Sequence, residues 1–174
     1  MKRRNDVLLV DGYNIIGSWP ELERLKEHDL EDARDRLLDM LADYQGYTGM
    51  GIFVVFDAHQ VPGLGATYKQ NKLTVVYTKE KETADECIER LCAELLSRRR
   101  HVYVATSDLV EQHVIFGRGA LRVSARELLI DVGQSRKEIE QSITEQRPDR
   151  RNTLDNRLSL DVRSQLERLR RGEK

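Results

Sequence analysis

Val7-Leu8-Leu9-Val10-Asp11-Gly12-Tyr13-Asn14 decides the fold class of this 174-residue chain. Four consecutive apolar residues, two of them β-branched, form a strand with no face left for water. A strand buried on both sides belongs to a parallel sheet covered on both faces. The same pattern returns at Ile52-Phe53-Val54-Val55-Phe56, at Leu73-Thr74-Val75-Val76-Tyr77 and at His101-Val102-Tyr103-Val104-Ala105. Leu121-Arg122-Val123 reads as a shorter edge strand.

Helical patterns separate these runs. Leu30, Ala33, Leu37, Leu38, Leu41 and Ala42 recur at helical spacing, and Gly46, Gly49 and Gly51 close that segment. Thr83-Ala84-Asp85-Glu86 matches a capping box, and Ile88, Leu91, Cys92, Leu95 and Leu96 form the stripe of the helix it opens. A short helix is expected after the fourth strand, and another from about Ala125. The segment containing Trp19-Pro20 and the stretch from Val61 to Lys72 read as loops. The expected fold is therefore α/β, a central mostly parallel sheet between layers of helices. Residues 1–147 form the expected domain. Residues 148–174 form a charged linker and an amphipathic helix dense in arginine.

Composition narrows the function classes. No apolar run approaches the roughly 18 residues that span a bilayer. The basic start, Met1-Lys2-Arg3-Arg4, leads into an apolar run too short for a signal peptide, so a cytoplasmic location without a membrane is expected. Two cysteines five apart and four scattered histidines give neither a disulfide framework nor a zinc motif. The formal net charge of -1 conceals an acidic first part, 1–97, and a basic second part, 98–174. That asymmetry suits a carboxylate site beside a surface for a polyanion.

In an open parallel sheet, ligands bind beyond the carboxyl ends of the strands. Asp11 follows the first strand, Asp57 the second, Glu82-Thr83-Ala84-Asp85-Glu86 the third, and Thr106-Ser107-Asp108 the fourth. Converging carboxylates repel one another unless a cation is shared. Carboxylate, amide and hydroxyl oxygens without soft ligands suit Mg²⁺ or Mn²⁺. Phosphodiester hydrolysis is the natural reaction class. Asp11, Asp85 and Asp108 are the expected catalytic and metal-binding acids. Asn14, Asp57, Glu82, Glu86 and Ser107 are secondary candidates. Each acid also has a plainer reading: a helix cap for Asp108, a dipole partner for Asp85, a turn residue for Asp57 or Asp11. Tyr13, Lys69, Lys72, Arg118, Arg122 and Arg126 are the expected contacts to a polyanionic strand, by stacking or through phosphates. Dinucleotide and P-loop binding lack their glycine motifs, and no serine-hydrolase elbow is present.

Val10-Asp11-Gly12-Tyr13-Asn14, Glu82-Thr83-Ala84-Asp85, Ala105-Thr106-Ser107-Asp108 and the run from Ile115 to Leu128 together resemble the NYN-domain proteins of the PIN-like nuclease superfamily. Their order and spacing are most similar to the bacterial YacP-like branch. The resemblance implies a three-layer PIN-like α/β/α fold and a metal-dependent endoribonuclease. It carries the catalytic role onto Asp11, Asp85 and Asp108. It further implies messenger RNA engaged with the ribosome as substrate. Two alternatives stand beside it: a non-catalytic RNA- or ribosome-binding module that keeps an acidic pocket, and a small-molecule phosphohydrolase.

Overall fold

A computed structural model of the chain describes residues 5–58, 66–97, 100–107 and 119–145. The short helix expected after the fourth strand and the helix expected near the C-terminus lie outside the described residues. So do Asp108 and Arg118.

Six strands form one sheet: β1 (Val7–Asp11), β2 (Gly51–Phe56), β3 (Thr67–Gln70), β4 (Leu73–Tyr77), β5 (Val102–Ala105) and β6 (Leu121–Val123). Their order is β3-β4-β2-β1-β5-β6. All neighbours run parallel except β3, which pairs antiparallel with β4. Five helices accompany them among the described residues: α1 (Gly12–Ser18), α2 (Pro20–His28), α3 (Leu30–Thr48), α4 (Ala84–Leu95) and α5 (Ala125–Glu145). Internal contacts divide the chain into two units at residue 137, within α5. The residues discussed below belong to the first unit.

Alternation along the strands builds two cores. Leu8 and Val10 of β1 join Ile52, Val54 and Phe56 of β2 under Ile15, Trp19, Leu22, Leu37 and Leu41 from α1–α3. Ala125, Leu128 and Val132 of α5 enter the same cluster. Val7 and Leu9 point the other way, to Val55, Val102 and Val104, where Cys87, Ile88, Leu91 and Cys92 of α4 cover them. Both sheet faces are thus covered, as the apolar strands require. Burial pushes the Cys87 thiol up to about 11, so it remains a neutral core group.

The structure corrects two expected loops. The segment around Trp19-Pro20 is helical, and those residues mark the junction between two helices. Pro20 occupies the first turn of α2, where a missing N–H costs nothing. Trp19 is buried, and its indole N–H donates to the Ala125 carbonyl at 2.9 Å. The second expected loop contains strand β3 and the turn that joins it to β4 in a hairpin. Asn71 and Lys72 form its two-residue turn, both left-handed, with φ of 50° and 70°. Asparagine tolerates that conformation, whereas lysine takes it at a cost.

Lys72→Gly should therefore stabilise the fold by roughly 0.5–1 kcal/mol, since Asn-Gly is the favoured pair for such a turn. Thermal unfolding of the two proteins checks this; an unchanged or lower midpoint would mean that the turn is not under strain.

Candidate active site

The strand order reverses between β1 and β5. The chain leaves β1 for β2 on one side and returns through α4 to β5 on the other. In such sheets the crevice at the carboxyl ends, at the point of reversal, is where ligands bind. Asp11 ends β1 there, in register with Val55, and is 9% exposed. Its Oδ1 accepts from the Asn14 backbone N–H at 3.2 Å, capping α1. One residue thus terminates the central strand and starts the helix that leaves it.

Gly12 has a steric reason. A Cβ at this position would overlap the Phe56 ring. Asn14 is the bridge across the reversal point. Its Oδ1 accepts from the Ser107 N–H at 2.7 Å and from the Ser107 hydroxyl at 2.8 Å. The Ser18 hydroxyl donates to the Asn14 carbonyl at 2.8 Å and reaches Ser107 Oγ at 3.1 Å. The amide oxygen of Asn14 is therefore engaged by protein. Its Nδ2 hydrogens are the part with which it can meet a ligand, as donors.

The other acids divide by role. Asp57 follows β2 at the same edge and is half-buried. Asp85 is exposed in the first turn of α4, on the connection leaving β4. Glu86 closes the capping box: its Oε2 accepts from the Thr83 N–H at 3.0 Å, and Thr83 Oγ1 accepts from the Glu86 N–H at 3.2 Å. Glu82 is held by Arg90, whose Nε and Nη2 donate to it at 3.1 and 3.0 Å, and by the Lys79 N–H at 3.1 Å. Burial by itself would raise the Glu82 carboxyl, but the Lys79 N–H and the Arg90 guanidinium outweigh it and hold it below the usual glutamate value. Glu82 and Glu86 thus have local structural duties. Among the described residues, no three His, Cys, Asp or Glu side chains gather closely enough to hold an ion. The donor chemistry of the edge nonetheless suits a hard cation. It offers carboxylate and hydroxyl oxygens, while both cysteines lie in the core beneath α4.

An aromatic row runs from the edge toward β3. The Tyr13 and Phe56 rings are 5.1 Å apart, Phe56 and Tyr77 5.7 Å, and Tyr77 and Tyr68 6.0 Å. Arg34 of α3 donates to the Tyr13 hydroxyl at 3.4 Å. Burial raises the Tyr13 hydroxyl above its usual value, so it is neutral at physiological pH. Burial and a hydrogen bond with Tyr77 push Tyr68 up to about 12. Sequence reading found Tyr13 but missed Arg34, Tyr68 and Tyr77. Tyr77 was within reach, since it ends its strand as Asp11 ends β1; Arg34 lies inside a helix with no local signal.

The expected cationic contacts separate. Lys69 is on the edge strand β3, and Lys72 is in the hairpin turn that precedes β4, at the opposite edge of the sheet from Asp11. The structure does not bring Lys72 to the carboxylates. Arg122 and Arg126 are on the reversal side. With Ser18, Trp19, Ser107 and Leu129 they line a cavity of about 580 Å³. The Ser124 and Glu127 side chains close a capping box at the start of α5, with Ser124 Oγ donating to Glu127 Oε2 at 2.6 Å. The Ser-x-x-Glu spacing carries that signal in the sequence.

The family described as the YacP-like NYN domain matches residues 8–171. The YacP protein of Bacillus subtilis (strain 168) is 47% identical over 171 residues, covering 97% of this chain and 98% of that protein. The crystal structure of Rae1 (YacP) from Bacillus subtilis superposes with a TM-score of 0.72 at 47% identity, covering 97% of this chain and 96% of that one. The crystal structure of a tryptophan-to-leucine mutant of the same Bacillus subtilis protein gives a TM-score of 0.72 at 49% identity, covering 81% of this chain and 85% of that one. No helix among the described residues is long and apolar enough to cross a membrane.

Two outcomes test the local geometry. Gly12→Ala should cost about 1–3 kcal/mol through overpacking against Phe56, read as a lower unfolding midpoint. Glu82→Gln should destabilise the protein at neutral pH. A depressed folded-state pKa stabilises above the unfolded value of about 4.3 and is lost as pH falls through the folded one. The gap between wild type and variant should therefore close in acid; a gap constant with pH would rule out the charge as its cause.

Proposed function

The chain belongs to the YacP-like NYN domain family, whose function is nuclease-like and RNA-related, and from that premise we propose that it is a metal-dependent endoribonuclease. Its substrate in this reading is messenger RNA presented by the translating ribosome, and its place of action is the cytoplasm. The observation that carries the proposal is the reversal point itself. A nearly buried carboxylate, Asp11, stands beside an asparagine whose oxygen is spent on Ser107 and whose nitrogen remains a donor.

Asp11, Asp85 and Asp108 would hold Mg²⁺ or Mn²⁺. When bound, such an ion supplies Lewis-acid stabilisation of phosphoryl charge and a more acidic water. The chain's own residues do the rest. Asp11 contributes negative charge from a position fixed by both the strand and its cap on α1. Asn14 Nδ2 donates to a phosphate oxygen of the RNA, and the Ser107 clamp fixes the rotamer that makes this possible. Asp57 stays secondary. Tyr13 offers an aromatic edge beside the reacting phosphate, while Arg122 and Arg126 neutralise flanking phosphates. The basic second part of the chain and the open strand-end crevice favour a long polyanion over a small phosphate ester.

Cleavage of an mRNA during translation in a purified system with Mg²⁺ or Mn²⁺ tests the proposal. Asp11→Asn and Asp85→Asn should lower specific cleavage by on the order of a hundredfold or more, with the fold intact. Asparagine caps a helix as well as aspartate does, so Asp11→Asn separates charge from capping. Equal cleavage by all three folded proteins, or none by any, would move the reading to a binding module. A naked-RNA lane reports whether the ribosome is needed to present the strand.

A further inference from the structure

The cavity on the reversal side has two kinds of wall. Trp19, Pro20 and Leu129 are apolar, whereas Arg122 and Arg126 bring positive charge and Ser18 and Ser107 bring hydroxyls. Its volume of about 580 Å³ lies within the roughly 300–1,000 Å³ typical of small-ligand sites. It is continuous with the proposed catalytic edge through Ser107, which is clamped to Asn14 and touches Ser18. An apolar slot with a cationic, hydroxyl-bearing rim matches a ligand with one flat apolar part and one anionic part. A peptide segment without acidic groups would leave the two arginines without complementary charge.

We infer that this cavity is a nucleotide subsite: it receives one unpaired base of the RNA strand next to the phosphate to be cut. The base lies against Pro20 and Leu129, with the buried Trp19 ring behind them. Arg126, exposed in the first turn of α5, meets the attached phosphate, and the serine hydroxyls face the ribose. Splaying one base out of the strand is how proteins commonly read single-stranded RNA, because an unstacked base exposes both its face and its edges. Occupation would also fix the neighbouring phosphate relative to Asn14, which is where positioning raises the rate. The inference rests on the RNA-cleaving reading above.

Trp19 is the chain's one tryptophan, so the cavity carries its own reporter. The full-length protein is titrated with adenosine 5′-monophosphate, uridine 5′-monophosphate, adenosine and ribose 5-phosphate. Tryptophan emission is excited at its red edge, where bases absorb little. Expected is saturable quenching by both nucleotides, weaker quenching by adenosine, and none by ribose 5-phosphate. Arg126→Glu puts an acid where the helix dipole favours one, so the helix is retained. It should weaken nucleotide binding about tenfold and leave adenosine unchanged. Leu129→Gln, a good helix former, should weaken both alike. Absence of saturable quenching up to about 10 mM in folded wild type overturns the inference. So does equal quenching by ribose 5-phosphate, which would mark an anion site only. Quenching without RNA cleavage would sink the nuclease reading and leave the nucleotide cavity standing. Cleavage without quenching would do the reverse.

Discussion

β1 has no side that can face water. Its five residues are all buried, it is paired on both edges, and its side chains feed two separate cores. A strand in that position cannot shift by one residue without exchanging the two cores. Register is therefore tightly set, and with it the position of Asp11, the first residue past the apolar run. The carboxylate is placed by burial of four hydrophobic side chains in front of it. At the far end of the strand, buried Asp6 accepts from the His101 N–H at 3.1 Å, tying the start of β1 to the start of β5. Both ends of the β1–β5 pair are thus stitched by polar side chains, Asp6 at one and Asn14 at the other.

This arrangement separates two duties that a glance at the carboxylates would merge. Glu82 and Glu86 lie close to Asp85 in sequence, yet both are committed around the start of α4: one to Arg90 and the Lys79 N–H, one to the capping box. Asp85 sits between them as an exposed acid at a helix N-terminus held rigidly from both sides. The structural acids support the candidate functional one. Likewise Ser107, which Ser18 touches, fixes the orientation of the Asn14 side-chain amide.

The apolar strands were legible in the sequence because burial on both faces leaves an unbroken run, and α4 because its capping box and stripe agree. The strand-end rule then led to Asp11 without any knowledge of side-chain contacts. β3 was not legible, since Thr67-Tyr68-Lys69-Gln70 is an exposed edge with no apolar alternation, and its turn lacks glycine. α1 and α2 were hidden by Gly12 and Pro20, residues that usually break helices and here begin them. Arg34 over Tyr13 and the cavity around Trp19 depend on residues far apart in the chain, joined only by tertiary packing. Periodicity carries no information about such contacts. Lys69 and Lys72 illustrate the converse: a lysine-bearing loop looks like a grip until the strand direction shows which edge it occupies.

The Asn14–Ser107 clamp joins residues 93 positions apart. On a ribosome adding about 5–20 residues per second, roughly 5–20 s separate the synthesis of its two halves. Throughout that interval β1 lacks its β5 neighbour, and one edge of this fully buried strand stays open. The crevice is closed only when the second half of the sheet arrives. A nascent chain of this protein therefore passes through a stage in which four of the five described helices can form while its strand-end crevice does not yet exist. The candidate site is assembled late, and the same interval is when the chain most needs protection from pairing with another chain.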